Sequence, residues 1–204
     1  METKTYDVVN DVEVMDETNA ERFCFDGRME FILYAKHCKD TGKKNNVIWV
    51  NSNEYLSRFM QGYRLFEDMK YAKALRAYKN AMVVNPVAIM ARFEICECYI
   101  AMLNFLGARS TLMEMTEYLV EAQHIARFYR RLGYIATETG DYRLAIACYL
   151  FSRSFEKSDV VTAELLYLRK VAKNIREIGE PEAILRKAGI PILTGYVLTD
   201  RKIG

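Results

Sequence analysis

The residues whose types suggest chemistry are two histidines, five cysteines and a few paired charges, and their spacing does not bring them together. His37 and His124 are far apart in the chain, and neither has a Ser, Cys or carboxylate beside it in the order that a nucleophile and its base require. Cys24, Cys38, Cys96, Cys98 and Cys148 are odd in number and lie among apolar residues, with no C-x-x-C pair and no His at metal-ligand spacing. They read as buried thiols in a reducing compartment, because Cys packs as a small apolar residue. Cys96 and Cys98 look like a pair, but two residues apart on a helix they point in different directions. Gly42-Lys43-Lys44 lacks the preceding glycines and the following Ser or Thr of a phosphate loop. Glu94 and Glu97 stand three apart on a helix, without a second carboxylate helix or a His to complete a metal site. The expectation is therefore no catalytic residue, no metal and no cofactor: a chain that is not an enzyme.

Composition narrows the setting. The 204 residues are 51% apolar and 27% charged, ordinary for a globular protein, and the net charge of +2 is too small to point to nucleic acid or an acidic membrane surface. The charge is uneven, with nine acidic against three basic residues in positions 1–30. No apolar run approaches a membrane span, and the acidic opening METKTYDVVNDVEV lacks the basic start of a signal peptide. A cytoplasmic protein with no membrane partner is expected.

The elements that must position any site come from a repeat. GYRLFEDMKYAKALRAY (62–78), CECYIAMLNFLGARSTL (96–112) and GYIATETGDYRLAIACY (133–149) superpose the small residues Gly62, Cys96 and Gly133. They also superpose Tyr71, Phe105 and Tyr142, then Ala74, Ala108 and Ala145, then Tyr78, Leu112 and Tyr149. The copies are offset by 34 and 37 residues, a period and an A-x-x-x-aromatic pattern that mark helix-turn-helix repeats. Two antiparallel helices approach closely only where one offers a small side chain to the bulk of the other. Gly62 and Ala74 are read as those small contacts, Tyr71 and Tyr78 as the bulk that fills the space, and Pro86 as the stop of the second helix.

On these residues the chain resembles the tetratricopeptide repeat family over roughly residues 55–159. The match is good at Gly62, Ala74, Tyr78, Ala81 and Pro86, and again at Leu132, Gly133, Gly140, Asp141, Tyr142, Ala145 and Tyr149. It departs where the family's early aromatic is Arg58 and Arg92, where the closing Pro is Val120 and Lys157, and where Cys96 and Met115 replace smaller residues. Three extra residues near 121–127 are expected to lengthen a turn or helix end. FDGRMEFILY, VIWV and the EKS-then-helix ending are similar to a loose group of Gram-positive bacterial tetratricopeptide proteins with no assigned activity. The resemblance implies an all-α fold, a right-handed superhelix of antiparallel helix pairs with capping segments at both ends.

Three segments are expected: an N-terminal capping segment at 1–50, the repeats at 51–178, and a short helix with an apolar tail at 179–204. In the first, Met29, Ile32 or Leu33, and Lys36 have helical spacing, with Asp26 a candidate cap and Gly42 a stop. A β-hairpin turning at Asp26-Gly27 is the competing reading. Further on, Ser158 or Asp159 can cap a helix across 160–179, and Pro181 suits the first turn of another. The tail, 189–204, carries Ile190, Ile192, Leu193, Tyr196, Val197 and Leu198. It is expected to lie against the protein's own groove or a neighbouring copy, giving self-association, or else to form a lid on the last helix pair.

What remains for function is a surface. The resemblance implies that the first helix of each repeat lines a concave groove for a protein or peptide. One stripe along those helices runs through Leu56, Phe59, Tyr63 and Phe66, then Met90, Phe93, Glu97 and Ile100, then Arg127, Arg130, Tyr134 and Thr137. Phe59, Tyr63, Phe66, Phe93, Glu97, Arg127, Arg130 and Tyr134 are the candidate groove residues, with Phe59, Tyr63 and Phe93 expected to be exposed or lightly covered. The same aromatics read equally well as core. Family members that clamp a terminal carboxylate place basic and amide residues where this chain has Phe59, Tyr63 and Glu97, so that clamp is not expected. The leading function is a noncatalytic protein- or peptide-binding module. Its alternatives are an intracellular peptide receptor or secretion chaperone and, in another class, an RNA-binding repeat protein using Arg127, Arg130 and Arg131.

Overall fold

The computed structural model describes residues 3–7, 21–43, 46–50, 53–173, 175 and 178–194. The expectations for residues 195–204 and for most of the acidic opening lie outside these. Contacts divide the chain into two compact units, residues 1–104 and 105–204.

The first unit opens with a small sheet. Strand β3 (Asn46–Val50) lies between β1 (Thr3–Asp7), antiparallel to it, and β2 (Glu21–Phe23), parallel to it. This sheet was not foreseen. Val47 and Ile48 are adjacent and both buried, so β3 shows no apolar–polar alternation, and its partners are brief and distant in sequence. Helix α1 (Arg28–Thr41) ends at Gly42, whose φ of 68° is the left-handed stop expected there. Phe31 stacks on Trp49 at 5.8 Å and Phe25 meets Trp49 edge-on, packing α1 onto the sheet. The hairpin reading at Asp26-Gly27 is excluded, since the chain passes directly from β2 into α1. Asp26 does not cap with its side chain; its backbone N–H donates to Glu30 Oε2 at 2.7 Å.

Glu30 staples this segment to the repeat. Helix α2 (Glu54–Glu67) pairs with α3 (Tyr71–Val84), and α3 stops before Pro86 as expected. Buried Asn85, just past α3, donates from Nδ2 to Glu30 Oε2 at 2.6 Å, and Cys24 N–H donates to Val84 O at 2.7 Å. Burial, opposed by the Asp26 and Asn85 hydrogen bonds and assisted by the Asp26 charge, raises the Glu30 carboxyl above its ordinary 4.5. Folded protein then holds a proton that unfolded chain has lost, so stability from this group falls as pH rises from about 4.5 through the raised value. Asn85 Oδ1 is buried without a partner. In Glu30→Gln the amide oxygen takes the place of Oε2 and accepts from both Asp26 N–H and Asn85 Nδ2, and the side chain no longer ionises. Urea melts should show the variant gaining relative to wild type at pH 7 over pH 4.5.

Two glycines show why the repeat needs small residues. A Cβ built on Gly62 would lie 2.7 Å from ring atoms of Tyr78, and one on Gly133 would lie 3.0 to 3.1 Å from the Tyr149 ring. Ala74 and Ala145 are completely buried, consistent with helix contact points. Helix α4 (Ile89–Ala101) packs on α3 and closes the first unit.

In the second unit, α5 (Phe105–Glu114) leads through a 3-10 turn at Thr116–Tyr118 into α6 (Ala122–Glu138). The extra residues expected near 121–127 lengthen α6, which has 17 residues against 14 in α2 and 13 in α4. Helix α7 (Tyr142–Ser152) pairs with α6, its start capped by Asp141 accepting from Leu144 N–H at 3.1 Å. Helix α8 (Asp159–Val171) stops well short of the expected 160–179. Ala172, Ile175 and Ile178 keep apolar spacing past its last turn, so periodicity gives no end point there. Ser158 holds its N-cap position without a side-chain bond. Pro181 starts α9 (Pro181–Lys187), which packs on α7.

The two tyrosines differ in one atom's environment. Tyr149 bonds to Thr137, whose own hydroxyl donates to Gly133 O at 2.9 Å, which leaves Tyr149 as the donor. The corresponding position beside Tyr78 is Phe66, and the Tyr78 hydroxyl is buried without a partner. Removing a satisfied hydroxyl loses a hydrogen bond, whereas removing an orphan relieves a desolvation cost. Tyr149→Phe should therefore lose about 0.5–1.5 kcal/mol, and Tyr78→Phe should be neutral or stabilising, in paired thermal melts.

Candidate binding surfaces on the first helices of the repeats

The sequence-predicted groove residues fall in both units. On α2 of the first unit, Leu56 and Tyr63 are 53% and 46% exposed, and Met60 between them is 37% exposed. Phe59 and Phe66 are half-buried and turned into packing: Phe59 lies 5.3 Å from the Tyr78 ring, and Phe66 meets Tyr71 edge-on at 5.2 Å. On α4, Phe93 is completely buried. That corrects its expected exposure, and the cause is that α4 buries Ile89, Ala91, Phe93, Ile95, Cys96 and Cys98, residues spread around most of its circumference. Glu97 on the same helix is half-buried and engaged.

The exposed apolar row on α2 is thus Leu56, Met60 and Tyr63, flanked by Asn53, Ser57, Gln61 and Arg64 along a shallow depression. Met60 was missed. Gly62 marks the side of α2 that touches Tyr78, and a residue two places away on a helix points nearly opposite, which turns Met60 outward. That glycine was the signal available.

On α6 of the second unit, Arg127, Arg130 and Tyr134 are each half-buried. Arg130 Nη1 pairs with Glu156 Oε2 at 2.5 Å, so its charge is already met. Arg127 and Tyr134 are engaged as well. His124 sits 3.7 Å from Glu121, and burial, against the Glu121 charge and with that of Arg127, lowers its pKa.

The tail is fastened to the other side of α6. Tyr129 O–H donates to Pro191 O at 2.7 Å and accepts from Leu193 N–H at 2.9 Å, while Ile190 is buried. Arg109 on α5 donates to Ala188 O at 2.8 Å. The described part of the tail, up to residue 194, therefore packs as a lid on its own unit's helices.

All five cysteines are buried free thiols. Burial pushes Cys98 and Cys148 up to about 12, so both stay protonated at neutral pH. Among the described residues no cluster of His, Cys, Asp or Glu could hold a metal ion, and no helix is long and apolar enough to cross a membrane.

No family model matches the chain, and no curated protein matches it. Solved structures do. The first tetratricopeptide domain of Spaghetti (RPAP3), bound to the HSP90 peptide SRMEEVD, is 19% identical with a TM-score of 0.53, over 61% of this chain and 97% of that one. The Sgt2 tetratricopeptide domain from Aspergillus fumigatus is 17% identical with a TM-score of 0.51, over 75% of this chain and 95% of that one. Neither neighbour supports the likeness to Gram-positive bacterial proteins. With helix pairs closed by Gly62 on Tyr78 and Gly133 on Tyr149, this chain has the all-α helical-repeat fold of tetratricopeptide domains.

Proposed function

We propose that this chain is a noncatalytic module that binds a protein or peptide partner through α2. The observation that carries the reading is the row of Leu56, Met60 and Tyr63, exposed on a helix whose opposite side is closed against α3. Apolar anchors spaced along one helix suit a partner that presents apolar side chains at matching intervals. The peptide on the first structural neighbour is acidic at its end. Here the row is apolar and Arg130 is paired with Glu156, so an apolar segment fits better than an acidic tail. A peptide receptor or secretion chaperone would use the same row.

The test is capture from a native lysate with identification by mass spectrometry, comparing wild type with a Leu56→Ser, Tyr63→Ser double variant. The expected result is a partner that the double variant loses while its melting temperature stays put. Retention by the double variant removes the α2 surface from the reading. Salt separates the RNA-binding alternative: nucleic acid held by Arg127 and Arg131 would dissociate steeply as salt rises, whereas an apolar contact would change little.

A further inference from the structure

Helix α8 carries two apolar faces, and among the described residues only one of them is covered. Val161, Leu168 and Ala172 are buried and Leu165 is half-buried, and this stripe packs toward α7. Turned from it lies a second stripe, Val160, Ala163, Tyr167 and Val171, at spacings of three, four and four residues. Val160 is 63% exposed, Tyr167 50% and Val171 41%, with Ala163 also exposed and Leu166 beside them 53% exposed. The spacing is that of a seam between two helices, which stays on one side of a helix for its whole length.

We propose that this face is a self-association surface, on which α8 of one copy packs antiparallel against α8 of a second copy about a two-fold axis. The argument is the order of the residues. In a two-fold contact, if residue i meets j then j meets i, so the stripe must complement its own reverse. Read backwards, Val171 falls opposite Val160 and Tyr167 falls opposite Ala163. The large ring thus meets the small side chain twice, as close helix contact requires.

Charge agrees with that direction. Asp159 and Lys170 are both exposed and lie on the same flank of the stripe at opposite ends of α8. In an antiparallel pair like flanks face each other, so each Asp159 meets the partner copy's Lys170 in two symmetric ion pairs. Exposed pairs of this kind add little affinity but select orientation. The parallel arrangement would instead set Tyr167 on Tyr167 and carry the Asp159 and Lys170 flanks of the two copies to opposite sides of the seam, where they cannot pair.

One 13-residue helix offers less area than the roughly 1,200–2,000 Å² of a stable interface, so the dimer is weak and concentration-dependent. This surface is separate from α2, and the association does not depend on the function proposed for that helix.

The test uses the full chain. Sedimentation equilibrium up to about 1 mM, the range of weak affinities, should show a reversible dimer that Tyr167→Ser with Val171→Ser weakens at least tenfold without changing the circular dichroism. Direction is read by mixing Val160→Cys and Val171→Cys chains under mild oxidation. The mixture should give a disulfide-linked heterodimer in preference to either variant alone, because a bridge needs Cα atoms within about 7 Å. A chain that stays monomeric across that range, or a dimer indifferent to the serine variant, overturns the proposal. So does a dimer that appears only when residues 195–204 are removed, which would make the chain's own tail the occupant of this face.

Discussion

Phe93→Ala is expected to cost about 3–5 kcal/mol of folding stability, the range for truncating a large aromatic in a closed interior. Phe93 is 0% exposed on a helix buried on most sides, so deleting its ring leaves a cavity in the closed interior. Urea or thermal unfolding reads the loss directly. Tyr63→Ala is the control: with 46% of its surface exposed, it should cost far less while removing a binding contact. Equal losses for the two variants would mean that α2 is as closed as α4, and the surface proposed on α2 would go with that result.

Gly62→Ala should be destabilising by about 1–3 kcal/mol, although Ala is ordinarily the better helix residue by roughly 1 kcal/mol. The added methyl would sit 2.7 Å from Tyr78 Cδ1 and Cε1, and the ring is completely buried. Gly133→Ala meets Tyr149 at 3.0 to 3.1 Å and should cost less than Gly62→Ala. Ala74→Leu and Ala145→Leu press on the same helix pairs and belong to the same cost range. Thermal melts of the four variants should rank Gly62→Ala below Gly133→Ala. A raised melting temperature for Gly62→Ala would show that the ring is not the wall it is taken to be.

These contacts explain what could be read in advance. Gly62, Ala74 and Tyr78 carry their meaning in spacing, and spacing survives in a bare sequence. So does the stop at Gly42, where the chain needs a left-handed residue. The face of a helix that meets solvent is harder, because a helix reading assumes one buried side. That assumption serves α2 and fails for α4, whose apolar residues extend nearly all round. The sheet escaped for a related reason: consecutive buried residues in β3 leave no alternation, and strands of three and five residues leave little pattern. On α6, the basic character of Arg130 was legible, but its partner Glu156 lies 26 residues away and nothing local announces the pairing.

The five buried thiols make the molecule its own reporter. A thiol enclosed in packed protein reacts with an alkylating reagent only when its surroundings open, so each cysteine records the opening frequency of the place it occupies. Cys24 and Cys38 watch the segment stapled to α3, Cys96 and Cys98 watch α4, and Cys148 watches the α6–α7 pair. Under native conditions the order in which they acquire mass would reveal which part of the chain loosens first, with no label or mutation introduced.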